Sequence, residues 1–264
     1  MKVCVLLENT KCREDVINEH GLSLYIETAN HKILFDTGQS DAFADNAKTM
    51  NIDLSKVDIA ILSHGHYDHG GGIKKFLELN DHAPIYIQKD VFEPHYNGSE
   101  KYIGLDLSLQ KEHRFIVVEN ELVIDDEITI TTIPNQKLSY PINPYGLNKL
   151  HENHLVPDDF HHEQYVLLHD HMQTILLSGC SHKGILNIEK WFQPDVLIGG
   201  FHFKKLDPMI EKDQTILHDA ALELMQYKTK YYTCHCTGVA QYEYLKQFMQ
   251  DQLDYLPTGK TIHV

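Results

Sequence analysis

Apolar and polar positions along the chain separate into short β-branched runs and amphipathic stretches of helical spacing. In the first half, residues 2–7, 22–27, 32–35, 57–62 and 85–87 have the length and composition of strands. Residues 41–50 and 73–79 are spaced as helices, the second entered through Gly70, Gly71 and Gly72. The second half repeats the alternation, with strands at 164–168 and 174–178, a helix at 186–192, a strand at 195–198, a helix around 214–225 and a strand around 231–234. This pattern predicts a mixed α/β fold. No repeat or low-complexity tract is evident, so the halves are expected to match in architecture rather than in residues, within a single compact domain spanning 1–264. Residues 88–114 and 134–162 follow neither period. They read as insertions, either walls and lids over a site or variable surface padding.

Composition narrows the class. Of 264 residues, 42% are hydrophobic, enough for one large core or two fused halves and too many for a disordered chain. Lys and Arg total 23 against 38 Asp and Glu, a net charge of −15 that disfavours a general nucleic-acid binder. No apolar run approaches the roughly 20 residues a membrane-spanning helix needs. The segment Met1 to Thr10 reads as a first strand rather than a secretory leader, so a cytoplasmic protein is expected. Five cysteines, an odd number in a chain of this size, are read as reduced thiols. Histidine, at 19 residues, is the outlier, and neutral imidazole is a common ligand for borderline transition metals.

The histidines concentrate where chemistry would need them. Residues 59–72 read Ile-Ala-Ile-Leu-Ser-His-Gly-His-Tyr-Asp-His-Gly-Gly-Gly, a strand pattern that runs into a polar turn. Side chains two apart on extended chain point the same way, so His64 and His66 can converge on one cation as the strand ends. Asp68 and His69 follow where the chain turns and can reach a second cation. Further donors recur at the ends of predicted strands: Cys180 and His182 in Ser-Gly-Cys-Ser-His, His202 in Gly-Gly-Phe-His, and His235 in Thr-Cys-His-Cys-Thr-Gly. Cys180 is either a thiolate ligand or an inert buried thiol. Cys234 and Cys236 lack the second cysteine pair that a thiolate zinc site requires.

The His-x-His-x-Asp-His run at a strand end resembles the signature of the metallo-β-lactamase superfamily. Phe35-Asp36-Thr37-Gly38 is similar to that superfamily's first motif, whose aspartate orients the metal loop, although alone it also reads as a turn. Residues 175–182 resemble the strand ending in Ser-Gly-Asp, with Cys180 at the aspartate position. Residues 231–238 resemble the final strand, whose histidine, here His235, binds the second metal. Together with Glu19-His20-Gly21-Leu22-Ser23, these motifs are similar to one branch often named 7,8-dihydropterin-6-methyl-4-(β-D-ribofuranosyl)-aminobenzene-5′-phosphate synthase. A branch name does not decide a substrate.

The resemblance implies an αββα four-layer sandwich, two mixed sheets flanked by helices, holding two divalent ions, zinc first, with iron or manganese as alternatives. His64, His66 and His182 are expected on one ion and Asp68, His69 and His235 on the other, with Cys180 between them. The third ligand of the first ion stays open between His182 and a loop histidine among His151, His154, His161 and His162. Asp68 and His202 are the expected catalytic side chains, Asp68 orienting a water and His202 as substrate contact or proton donor, or else a satisfied rim histidine. The expected activity is hydrolysis of an ester, phosphoester, lactone or thioester of a small metabolite, phosphorylated or not. No nucleic-acid or membrane partner is expected, and the sequence leaves the oligomeric state open. A non-catalytic metal or ligand sensor and a di-iron redox enzyme are the alternatives. The second is disfavoured because such relatives usually carry a glutamate where His66 stands and a flavin domain that is absent.

Overall fold

The computed structural model describes residues 1–170 and 173–264. Two seven-stranded sheets carry the fold. The first runs, edge to edge, through Thr261–His263, Lys2–Leu7, Ser23–Glu27, Lys32–Phe35, Ile59–Ile61, Ile85–Gln88 and Phe115–Val118. Its first four strands pair antiparallel and the rest parallel. The second runs through Leu253–Tyr255, Lys230–Thr233, Val196–Gly199, Gln173–Ser178, Tyr165–Asp170, Ile128–Thr131 and Glu121–Val123. It too is mixed, parallel across its first four strands and antiparallel thereafter. The two halves therefore match in architecture, as expected.

Alternation along the strands accounts for the layers. Val3, Val5, Leu24, Ile26, Ile33 and Phe35 face the partner sheet, where they meet Ile130, Val166, Ile175, Leu177 and Ile198 in one buried cluster. Cys4, Leu6, Leu34 and Ala60 face the other way, onto helices Ala42–Thr49 and Ile73–Leu79 through Phe43, Ala47, Ile73 and Phe76. Beyond the second sheet, helices Ile185–Phe192, Glu211–Leu224 and Val239–Met249 pack Ile188, Leu217, Ala221 and Leu245 against Leu176, Leu197 and Tyr231. The result is the α/β sandwich of four layers. Among the described residues, no helix is long and apolar enough to cross a membrane.

The reading of 88–114 and 134–162 as two separate irregular insertions needs correction. Strands His95–Asn97 and Lys101–Tyr102 from one pair with Leu147–His151 and His154–Pro157 from the other, forming a single four-stranded cap. Each segment forms one short hairpin, and the pairing of His95–Asn97 with Leu147–His151 joins the two into one sheet; strands of two to five residues carry little periodic signal. Strands 115–118, 121–123 and 128–131, helix 239–249 and the last two strands were also unforeseen from the periodicity.

Candidate metal centre

The donor-bearing loops leave the carboxyl ends of the parallel strands in both sheets, where α/β folds gather ligands. Lys32–Phe35 ends at Asp36, Ile59–Ile61 at Ser63 and His64, Gln173–Ser178 at Cys180, Val196–Gly199 ahead of His202, and Lys230–Thr233 ahead of His235. Gly179 lets the two sheets approach, because a Cβ there would collide with Ser63 Oγ. Asp36, Ser181, His202 and His235 all hold left-handed backbone, with φ of 60°, 57°, 58° and 48°. Such conformations in non-glycine residues cost of order 1–3 kcal/mol each and persist where surrounding structure imposes them.

Two sets of donors converge. His64 Nε2 lies 3.2 Å from His182 Nε2, and both rings face His66 at centroid distances of 4.6 and 4.9 Å. Beside them, His69 Nε2 lies 3.2 Å from His235 Nε2 and 3.2 Å from Cys180 Sγ. Asp68 Oδ2 stands 3.4 Å from His235 Nε2 and 3.9 Å from His69 Nε2. Two imidazole nitrogens bound to one tetrahedral zinc at roughly 2.0–2.1 Å sit about 3.3 Å apart, so both pairs have the spacing of ligands around a cation. The donors therefore fit the two ions that the motif implies.

Each imidazole has its far nitrogen occupied or buried. Asp36 Oδ2 is 2.6 Å from His69 Nδ1, and Asp36 also accepts the Ser63 N–H and hydroxyl, both at 2.7 Å. Ser63 Oγ is 2.8 Å from His64 Nδ1, and Asn9 Oδ1 is 2.9 Å from His235 Nδ1. Partners of this kind fix which nitrogen faces a metal. The His182 ring stacks on Phe160 at 4.5 Å, while Glu163 accepts the N–H groups of His182 and Lys183 at 2.7 and 3.0 Å.

Burial pushes His64, His66 and His182 well below the ordinary imidazole range, keeping them neutral and ready to donate a lone pair. Burial also opposes charge on His69, but Asp36 and Asp68 outweigh it and raise the ring to about 9. Burial likewise opposes ionisation of Asp68, and His69, His20 and His235 overcome it, holding the carboxyl well below its usual range. Burial pushes the Cys180 thiol up, so a cation is needed to make it a thiolate.

A further buried group, which the sequence reading missed, stands behind His66. Asp158 Oδ2 lies 2.8 Å from His95 Nδ1 and 3.4 Å from His162 Nε2. Gly65 donates its N–H to His162 Nδ1 at 2.9 Å, so His162 carries its proton on Nε2, toward Asp158. Ionised Asp158 draws the His95 proton onto Nδ1, leaving His95 Nε2 as an acceptor. That nitrogen and His66 Nε2 are buried without hydrogen-bond partners among the described residues, and the two rings meet edge to face at 5.4 Å between centroids. Packing against the rings of His95 and His162 fixes the orientation of the His66 ring beside His64 and His182. These residues come from the cap segments, where no local pattern marks them.

Of the loop histidines weighed as third ligand, His151, His154 and His161 are exposed, and His162 belongs to this group behind His66. The structure brings His182 to His64 and His66 instead. Above the donors lies a cleft of about 390 Å³, lined by Asp68, Cys180, His182, His202 and His235 and rimmed by Lys101, Lys204 and Lys205. His20 Nε2 reaches Asp68 Oδ2 at 3.1 Å, and Cys236 also faces the cleft. The lysines were not singled out in the sequence because nothing local distinguishes them from other surface lysines.

Comparison with known proteins agrees with this fold. The family model described as metallo-beta-lactamase superfamily matches residues 17–215. An uncharacterized protein of Methanocaldococcus jannaschii is 30% identical over 209 residues, covering 75% of this chain and 78% of its own length. The same organism's 7,8-dihydropterin-6-methyl-4-(beta-D-ribofuranosyl)-aminobenzene-5'-phosphate synthase is 28% identical over 270 residues, covering 93% of this chain and 90% of its own. Among solved structures, Tm1679, a metal-dependent hydrolase of the beta-lactamase superfamily, superposes with a TM-score of 0.79 at 24% identity, over 100% of this chain and 99% of its own. A matching fold, the His-x-His-x-Asp-His loop and a family model covering most of the chain lead to one conclusion: the protein belongs to the metallo-beta-lactamase superfamily.

Proposed function

We propose that the protein is a metal-dependent hydrolase that cleaves an ester, phosphoester, lactone or thioester of a small anionic metabolite. The observation that carries this reading is the convergence of two donor sets, His64, His66 and His182 beside Asp68, His69, His235 and Cys180, on the floor of one open cleft. Two divalent cations held there, zinc first, would supply a hydroxide at neutral pH and polarise the susceptible carbonyl or phosphoryl oxygen.

The chain's own residues supply the rest. Asp68, ionised and facing the cleft, accepts a hydrogen bond from the attacking water and sets its direction. Lys101, Lys204 and Lys205 give a locally positive rim on a chain of net charge −15, which favours an anionic substrate at this one place. His202 stands at the cleft edge, 4.3 Å from the His182 ring, with both ring nitrogens buried and unpartnered among the described residues. It is placed to contact the leaving group and hand it a proton.

The test is metal analysis of the purified protein followed by turnover of phosphoesters, lactones and thioesters. Asp68→Ala should retain the fold by circular dichroism and lose at least a hundredfold in kcat/KM on whichever ester the parent cleaves. A metal-loaded protein that turns over none of them would overturn the hydrolase reading and favour a sensor.

A further inference from the structure

A second cavity, of about 440 Å³, shares His182 and His202 with the metal cleft. Its walls are Tyr140, Tyr145, Ile185, Phe201 and Ile216, and no Lys or Arg is among the described residues that line it. Its outer end carries the carboxylates of Asp219 and Glu223, the latter accepting the Tyr140 hydroxyl at 2.8 Å. Tyr145 and His202, which meet at 5.7 Å between ring centroids, both hold left-handed backbone, with φ of 48° and 58°. Two strained residues from separate loops thus form the doorway between the cavities, a place where strain is retained only if the surroundings impose it. The cavity lies in the size range of small-molecule pockets, with apolar walls and few polar groups.

Charge divides the two cavities. The metal cleft is lined by three lysines and suits an anionic group, whereas the second cavity is lined by the carboxylates of Asp219 and Glu223, with Lys190 over the Tyr140 ring and Lys205 bonded to the Tyr145 carbonyl behind its walls. We infer that the second cavity is the leaving-group subsite, that it takes an uncharged aromatic ring, and that the substrate is an ester joining such a ring to an anionic phosphoryl or acyl half. The inference rests on the hydrolase reading above. In the step, the water oxygen bonds to phosphorus or to the acyl carbon, the bond to the leaving oxygen breaks, and that oxygen takes up a proton. The products are the acid in the lysine-rimmed cleft and an aryl-bearing alcohol in the second cavity.

Two measurements separate the inference from the reading beneath it. The first is fluorescence titration of the metal-loaded protein with 1-naphthylmethanol, which mimics the product alcohol and carries no charge. Saturable binding is expected, at least tenfold weaker in Ile216→Trp, which fills the cavity from a partly exposed helix position. Wild type should also prefer the alcohol to 1-naphthoate, and Asp219→Lys, at an exposed site, should narrow that preference severalfold. The second is kcat/KM for 1-naphthylmethyl phosphate relative to methyl phosphate, expected to exceed ten and to fall toward one in Ile216→Trp. Absence of saturable binding, or equal binding by wild type and Ile216→Trp, would overturn the subsite whatever the turnover. Hydrolysis of neither ester, nor of any phosphoester, lactone or thioester in the panel above, with that binding intact would overturn the hydrolase reading while supporting the cavity's preference for an aromatic ring.

Discussion

The strand tips that hold the metal donors and the four-stranded cap beside them are built to different standards. The tips emerge from two sheets that share one apolar core, and Asp36, His64, His69 and His235 are fully buried and tied by short hydrogen bonds. The cap has only Ile103, Leu147 and Phe160 in its buried cluster, and strands Lys101–Tyr102 and His154–Pro157 are largely exposed. Yet the cap region provides Phe160 against His182 and the His95, Asp158 and His162 group behind His66. The difference teaches that donor geometry comes from the rigid core, while the seating of the His66 ring and access come from the region that opens most cheaply.

Removing the anchor of the tips should have the largest effect. Asp36→Ala leaves the Ser63 N–H, the Ser63 hydroxyl and His69 Nδ1 without their shared acceptor. A loss of about 3–5 kcal/mol is expected for breaking such a buried pair, read from the urea midpoint of the metal-free protein.

Glu189, on the helix behind the second sheet, touches neither region and sharpens the contrast between global and local stability. Burial raises its carboxyl to about 7, against partial relief from the Thr229 hydroxyl. Because the folded state holds this proton more tightly than the unfolded chain, stability falls as pH rises from the ordinary carboxylate value toward 7 and stays low above it. Glu189→Gln removes that penalty, so its advantage should be absent near pH 4 and reach up to about 3 kcal/mol at pH 8. Hydrogen exchange should show strand amides of 175–178 protected further and cap amides of 95–102 unchanged, since local opening does not track global stability.

His95→Asn tests what the cap contributes to the site. Asparagine can keep the donor to Asp158 while removing the ring that packs edge to face against His66. Metal affinity, measured by chelator competition, should fall about tenfold to a hundredfold with little change in the unfolding midpoint. The smallest effect belongs to the cap hairpin, where Glu152 and Asn153 form a two-residue turn with φ of 47° and 64° between the paired His151 and His154. The double substitution Glu152→Asn and Asn153→Gly suits that turn and should slow exchange of the cap amides by the equivalent of about 0.5–1 kcal/mol, with no change in metal affinity.

How much was legible in the sequence follows the same division. The strands around 2–7, 32–35 and 174–178 announce themselves because each buries a face locally readable as alternation or as an apolar run. The metal loop is legible because His64, His66, Asp68 and His69 occupy one six-residue stretch, and Cys180, His182, His202 and His235 because each follows a recognisable strand end. The cap was not, since its strands are two to five residues long with no alternation strong enough to predict them, and its two hairpins join into one sheet only by pairing across about 50 residues of chain.

By itself the sequence determined which residues could be donors and which strongly apolar segments would be core strands, because side-chain chemistry and hydrophobic period are local properties. Only the tertiary structure decided that His182 rather than His151, His154 or His161 meets His64, that Asp158 orders the imidazoles behind His66, and that Lys101, Lys204 and Lys205 line one cavity at His202 and Asp219 and Glu223 the other. Those are distances between segments far apart in the chain, set by how two sheets and a cap close on one another, and no spacing along the chain encodes them.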